Sequence, residues 1–343
     1  MRKYMIRPLL ALFLLISGTA FVPPSGTPPP ADVWSMPAST GLAMLDPASD
    51  YSVIDSYARN TPEQFTKDLN TLSVYLTSPA RSDLAKARSV YAWVLSHVRY
   101  DDATYSGRRY HSEELYAKGV LQSRRTVCTG FALLYKQLLR KAGVEVVNVK
   151  GFARSNDEQA GVPVGPIDHE WNAVKLDGDW YLLDLAWAST TMKNGKPNDF
   201  YFLTEPKRFV AAHFPAEPRW QLLGAPVTKA EFDRYPKLYD AYFRLGFDDD
   251  FPKNGLIRAS GTVSLTLDNA EQPVEFMASY SRPGGSTAHN LPVTVRKSGN
   301  SYSLQVKMPA GKSTLYVFAK PKGPARERVK SYEGIASFTV VNE

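Results

Sequence analysis

Cysteine is nearly absent from this chain: 343 residues carry one, Cys128. No intramolecular disulfide can form, so cross-links do not hold the fold. Metal motifs are missing as well. There is no Cys pair at ligand spacing and no His-Glu-x-x-His, and His97, His111, His213 and His289 are scattered, which argues against a structural or catalytic zinc site. Past residue 20 no apolar run is long enough for a transmembrane helix. No basic stretch interleaved with aromatics marks a nucleic-acid binder. Internal repeats are lacking too.

Hydrophobic residues at 43% and charged residues at 22% describe an ordinary globular protein with a sizeable core, and the length allows two domains. The net charge of +7 is uneven: residues 251–343 hold twelve Lys and Arg against six Asp and Glu. Such an excess suits a solvated basic face, or contact with an anionic cell-envelope surface.

The first twenty residues have the pattern of a secretory signal. Arg2, Lys3 and Arg7 precede the apolar run Leu9–Ile16, and Gly18 and Ala20 supply small residues for a cut after Ala20. No cysteine follows the run, so no lipoprotein anchor is expected. The expectation is a secreted or periplasmic protein with a signal peptide over 1–20. Residues 21–50, which include Pro28-Pro-Pro30, read as an extended Pro-rich linker.

Helical spacing follows. Thr61-Pro-Glu-Gln64 has the form of a helix start, with Phe65, Leu69, Leu72 and Leu76 behind it. Ser82 is placed to cap a second helix carrying Leu84, Ala87, Tyr91, Val94, Leu95 and Val98. A third begins near Cys128, with Thr126 as its cap and Gly143 as its stop. Val144–Phe152 reads as a strand, and Arg154–Asp168 as a mobile loop. The turn Asp177-Gly178 joins two further strands into a hairpin. After Asp248-Asp-Asp250 only short strand-like runs remain, as in a small β-sandwich over 251–343 that contributes no catalytic group.

The chemistry-bearing residues lie in 51–250. A thiol attacks as thiolate, and a helix N-terminus favours negative charge, so Cys128 stands where a nucleophile is wanted. Its backbone N–H is a ready oxyanion donor. In a hairpin closed by Asp177-Gly178, Leu176 pairs with Asp179; continued, this register sets Trp171 opposite Asp184 and His169 opposite Ala186. His169 and Asp184 then share one face as diagonal neighbours, about 7–8 Å apart at the backbone. Asp184 can orient one imidazole nitrogen and leave the other for Cys128. Gln122, six residues before Cys128, sits where papain-like proteases keep an oxyanion glutamine, although a surface role is the simpler reading. Asn172 is placed to brace either the hairpin or the histidine.

Val127-Cys-Thr-Gly-Phe-Ala132, His169-Glu-Trp-Asn-Ala-Val174, Trp180 and Asp184 resemble the nucleophile, histidine and aspartate motifs of the transglutaminase-like superfamily of thiol enzymes. Phe131 stands where the family usually has Tyr. Asp199–Pro206, His213-Phe-Pro215 and Trp220–Leu223 are most similar to its kyphoscoliosis-peptidase-type branch. The resemblance covers roughly 51–247. It implies an α+β, papain-like core of helices packed on an antiparallel sheet, followed here by the all-β sandwich. It implies catalysis with no cofactor and no obligatory metal.

The leading expectation is an exported thiol hydrolase, a peptidase or amidase acting on a peptide or protein substrate through an acyl-enzyme, with Cys128, His169 and Asp184 as its triad. Two rivals stand beside it: a protein-glutamine γ-glutamyltransferase with the same triad, and a non-catalytic binding protein that keeps the fold for partner contact at the cell surface.

Overall fold

Two short helices open the described chain, α1 (Ser52–Arg59) and α2 (Leu69–Thr77). The computed structural model describes residues 50–104, 110–192, 196–269, 271–285, 287–323 and 331–343. The expected signal segment and all but the last residue of the expected linker lie outside the described residues. Thr61 does not start α2. Its hydroxyl donates back to the Ala58 carbonyl at 2.7 Å and so closes α1, while Glu63–Phe65 makes one 3₁₀ turn. The true cap is Asp68, whose Oδ1 accepts the N–H groups of Asn70 and Thr71, both at 2.9 Å. Ser82 does cap α3 (Asp83–His97), accepting from the Ala85 N–H at 3.1 Å.

The two-residue strand β1 (Arg99–Tyr100) leads to α4 (Glu113–Ser123), a helix the apolar spacing does not reveal because its face buries only Ala117, Val120 and Leu121. Strand β2 (Arg125–Thr126) pairs in parallel with β1, and α5 (Cys128–Lys141) starts at once. The residue before α5 is Val127 in extended conformation, so Thr126 belongs to β2 and is not the cap. Gly143, with φ of +80°, ends α5 as expected.

A four-stranded antiparallel sheet follows: β3 (Val146–Ala153), β4 (His169–Leu176), β5 (Asp179–Leu183) and, later in the chain, β6 (His213–Pro215), in the order β5-β4-β3-β6. The hairpin register is the one the turn dictates, from Leu176 opposite Asp179 to Asn172 opposite Leu183. Asp177 and Gly178 both take positive φ, 51° and 95°, as a two-residue hairpin turn requires. Pairing stops at Leu183, because Asp184 turns the chain into α6 (Leu185–Thr190). The pairs expected at Trp171–Asp184 and His169–Ala186 therefore do not form.

Helices α3 and α5 pack on one face of this sheet and α2 packs on those two helices, in a core that holds Leu72, Trp93, Phe131, Leu138, Val174 and Leu183. Trp171, Val149 and Leu182 pack on the other face with Phe209. Phe209 ends α7 (Pro206–Phe209), which just precedes β6. Buried Arg88 fastens the helical layer, holding Asp55 of α1 at 2.6 and 2.7 Å and Asp199 at 2.9 Å.

The remaining chain runs through α8 (Lys229–Arg234), β7 (Lys237–Leu238) and α9 (Asp240–Arg244). It then forms β8 (Leu256–Ala259), β9 (Thr262–Asp268), β10 (Val274–Ser281), β11 (His289–Leu291), β12 (Val293–Ser298), β13 (Ser301–Lys307), β14 (Gly311–Pro321) and β15 (Glu333–Asn342). One sheet has the order β11-β10-β14-β15-β7, with β8 parallel to β15; β12-β13-β9 is the other. Their alternating apolar residues share one core, in which Leu265, Leu304, Val317 and Phe338 meet Phe214, Phe232, Tyr242 and Phe247 from before residue 251.

The segment 154–168 is anchored between these parts. Arg154 is buried, donating to the carbonyls of Phe232 at 2.6 Å and Val162 at 3.3 Å. Gly161 donates to Tyr235, and Ala160 accepts from the Thr339 hydroxyl at 2.8 Å. No described helix is long and apolar enough to cross a membrane.

Candidate active site

Cys128 is the first residue of α5, and its N–H therefore has no acceptor within the helix. The parallel pair β1-β2 holds the chain just before it, with Tyr100 opposite Thr126. Gly130 lets this turn sit close: a Cβ there would lie 1.9 Å from Thr126 Oγ1. Asn172 braces the helix against the sheet. Its Nδ2 donates to the Ala132 carbonyl of α5 at 3.1 Å and to Asn148 Oδ1 of β3 at 3.0 Å. Of its two expected roles the structure gives the brace, and no described bond from Asn172 to His169 exists.

His169 opens β4 opposite Gly151 of β3. Its Nε2 stands 2.6 Å from Asp184 Oδ2. The Cys128 sulfur is near enough to the same ring to favour its charged form, and Nδ1 is the nitrogen that Asp184 leaves open. Asp184 is the cap of α6, its Oδ1 accepting the Trp187 N–H at 3.0 Å. The hairpin thus brings His169 and Asp184 together as expected, although the aspartate is held by a helix start and not by a strand.

A third side chain joins them. His213 Nε2 stands 3.0 Å from the same Asp184 Oδ2. The four residues are nearly closed off, with exposures of 9% for Cys128, 8% for His169 and 1% each for Asp184 and His213. Reading the sequence leaves His213 among scattered histidines. The signal available in the sequence is the motif His213-Phe-Pro215; in the structure it is a wholly buried strand, where an imidazole needs a partner.

Gln122 is exposed on the last turn of α4 and has no described bond to Cys128, His169 or Asp184. His169, Asp184 and His213 bring ligand-type atoms within 4.8 Å of one another, a donor set of the kind transition ions take. Both imidazoles, however, meet one carboxylate oxygen at direct hydrogen-bond distance, so these donors are engaged with each other.

The charges divide accordingly. Burial works against a cation at His169, but the Asp184 charge, its hydrogen bond and the Cys128 sulfur outweigh burial and hold His169 above the ordinary imidazole range. Burial alone would raise Asp184, yet the His169 charge and bonds from both histidines hold it well below the usual carboxylate range. Burial dominates at His213 and pushes it down to about 4 despite its bond to Asp184. One carboxylate serves one cation, and the second ring stays neutral.

Beside the site, between β1 and α6, a cleft of about 600 Å³ is lined by Arg59, Ser96, Arg99, Tyr100, Thr190 and Met192 among others. Burial raises the Tyr100 hydroxyl to about 12, and the nearness of Cys128 and Asp184 adds to the effect.

A helix-borne thiol, a hairpin-borne histidine and a capping aspartate on an antiparallel sheet define a papain-like, transglutaminase-like protein. Residues 70–185 match the family model of the transglutaminase-like superfamily, and the chain belongs to that superfamily. It is 32% identical over 273 residues to the kyphoscoliosis peptidase of Mus musculus, an alignment covering 77% of this chain and 40% of that one. With the Homo sapiens kyphoscoliosis peptidase the identity is 30% over 291 residues, 82% of this chain and 42% of the relative. With the Lim and transglutaminase domain protein ltd-1 of Caenorhabditis elegans it is 30% over 275 residues, 71% and 35%. The chain thus spans well under half the length of these curated relatives.

Proposed function

We propose that this protein is an exported thiol hydrolase cleaving peptide or amide bonds, with Cys128 as nucleophile, His169 as base and acid, and Asp184 as the group that orients His169. The observation that carries the reading is the 2.6 Å contact between His169 Nε2 and Asp184 Oδ2, on a ring whose charged form the Cys128 sulfur also favours. The sulfur, its proton taken by His169, would attack the substrate carbonyl carbon, sending an electron pair to the oxygen beside the Cys128 N–H. Collapse of that adduct breaks the C–N bond, and His169 gives the leaving amine its proton. Water, losing a proton to His169, then releases the acid and the free thiol. The cleft beside Tyr100 is where we place the substrate chain. Export rests on the pattern of residues 1–20, and the basic excess of 251–343 supports a place at an anionic envelope surface.

A peptide library incubated with the protein, with and without a primary amine, tests the reaction. Cleaved peptides that lose no yield to the amine fit the proposal. Incorporation of the amine at glutamine would make the protein a γ-glutamyltransferase. No turnover, together with a Cys128 of ordinary reactivity, would make it a binding protein.

A further inference from the structure

Asp184 has three donors and two oxygens. Oδ1 takes the Trp187 N–H, and Oδ2 takes both histidines. An ionised carboxylate only accepts, so each imidazole must bring a proton on Nε2 to that oxygen. For His169 this is the arrangement the proposed chemistry needs. For His213 it means a neutral ring whose Nε2–H points at Asp184.

The fold builds this contact deliberately. His213 lies opposite Ala153 and His169 opposite Gly151, so both rings rise from the same face of the sheet on either side of β3. Gly151 permits the close packing: a Cβ there would come within 2.5 Å of the Trp171 ring and 2.3 Å of the Phe214 carbonyl. The His213 ring is stacked on Phe209 at 4.1 Å, with Trp187 at 4.4 Å and Trp171 edge-on at 5.3 Å. An imidazole in such a cage loses much if its N–H goes unpaired, and the Asp184 oxygen is the described acceptor. The charged groups acting on it are Asp184, His169 and Lys237. Lys237 is itself turned away, donating to the Arg154 carbonyl at 2.6 Å with its ammonium over the Trp187 ring.

We propose that His213 is a positioning residue for the Cys128–His169–Asp184 set, acting only through Asp184: its Nε2–H fixes the carboxylate oxygen that receives His169 and shares its charge. The inference rests on reading that set as an acyl-transfer site. A carboxylate oxygen shared between two donors cannot swing away, and it holds the His169 proton less tightly than an unshared one. His169 then parts more easily with the proton that the leaving amine must receive.

The test is the pH dependence of the iodoacetamide reaction of the full chain, whose only thiol is Cys128. In a thiolate–imidazolium pair the upper inflection of that profile reports the histidine. His213→Phe keeps the packing and removes the donor; the upper inflection should move to higher pH, and cleavage of a library-derived peptide should fall roughly tenfold to a hundredfold. His213→Gln returns an N–H near the position of Nε2 and should restore both toward wild type. His213→Asn is polar but too short, and should behave as the Phe variant, which keeps the comparison available if that variant does not fold. Superimposable profiles for wild type and folded Phe or Asn variants would overturn the proposal, as would a displaced profile in the Gln variant. A wild-type profile with only the single ionisation of a simple thiol would overturn instead the acyl-transfer reading beneath it.

Discussion

The Thr126 hydroxyl occupies the place where a side chain at residue 130 would begin, 1.9 Å from the position of a Gly130 Cβ. Thr126 belongs to β2 and Gly130 to the first turn of α5, so this contact sets the last strand residue against the helix that presents Cys128.

Gly130→Ala should therefore cost stability, although alanine is the better helix former. The gain in propensity is about 1 kcal/mol, while overpacking a close contact costs about 1–3 kcal/mol. The variant should melt lower than wild type and label more slowly at Cys128. A higher melting temperature would show that the turn has room to spare.

The two histidines make opposite demands on pH. His213, pushed from 6.5 to about 4, stays neutral in the fold, whereas the unfolded chain takes up a proton as pH falls through 6.5. Acidification from 6.5 toward 4 thus favours unfolding through His213. His169 is raised: its contribution is full below the unfolded value and is lost as pH rises through the folded one. Melting temperatures between pH 4 and 7 should consequently fall less steeply toward acid in His213→Phe than in wild type. Parallel slopes would mean that His213 is already protonated in the fold.

The hairpin that brings His169 to Asp184 is legible in the sequence. Two consecutive positive-φ residues, Asp177 and Gly178, set the hairpin register, and that register places His169 near Asp184. The capping role of Asp184 is hidden in the sequence because Tyr181–Trp187 is apolar apart from Asp184 and reads as strand; one side-chain bond to the Trp187 N–H decides for helix. His213 was missed because its partner is 29 residues away, and no periodicity announces which edge of β3 receives β6. Helix α4 was missed for lack of apolar residues, and the start of α2 was misplaced because Thr61 serves the helix before it.

The aromatic core of the C-terminal strands reaches back across residue 251, which bears on dissection of the chain. Phe232, Tyr242 and Phe247 are buried against residues of the two later sheets, and Thr339 and Ser337 bond Ala160 and Asp157. A chain ending at Phe247 should expose these side chains and be recovered as aggregate or as a state without a cooperative melt. A soluble truncation with wild-type labelling at Cys128 would show that the part carrying Cys128 folds alone.

The most direct measurement of the central claim is the rate at which a peptidyl acyloxymethyl ketone alkylates the chain near pH 6. Wild type should take up one equivalent, all of it on Cys128. His169→Ala and Asp184→Asn should fold and keep the thiol yet react far more slowly; for Asp184→Asn the loss should approach the roughly 10⁴-fold effect of the equivalent change in a serine protease. Equal rates in wild type and both variants would mean that Cys128 reacts without help from His169 or Asp184, and would contradict the account.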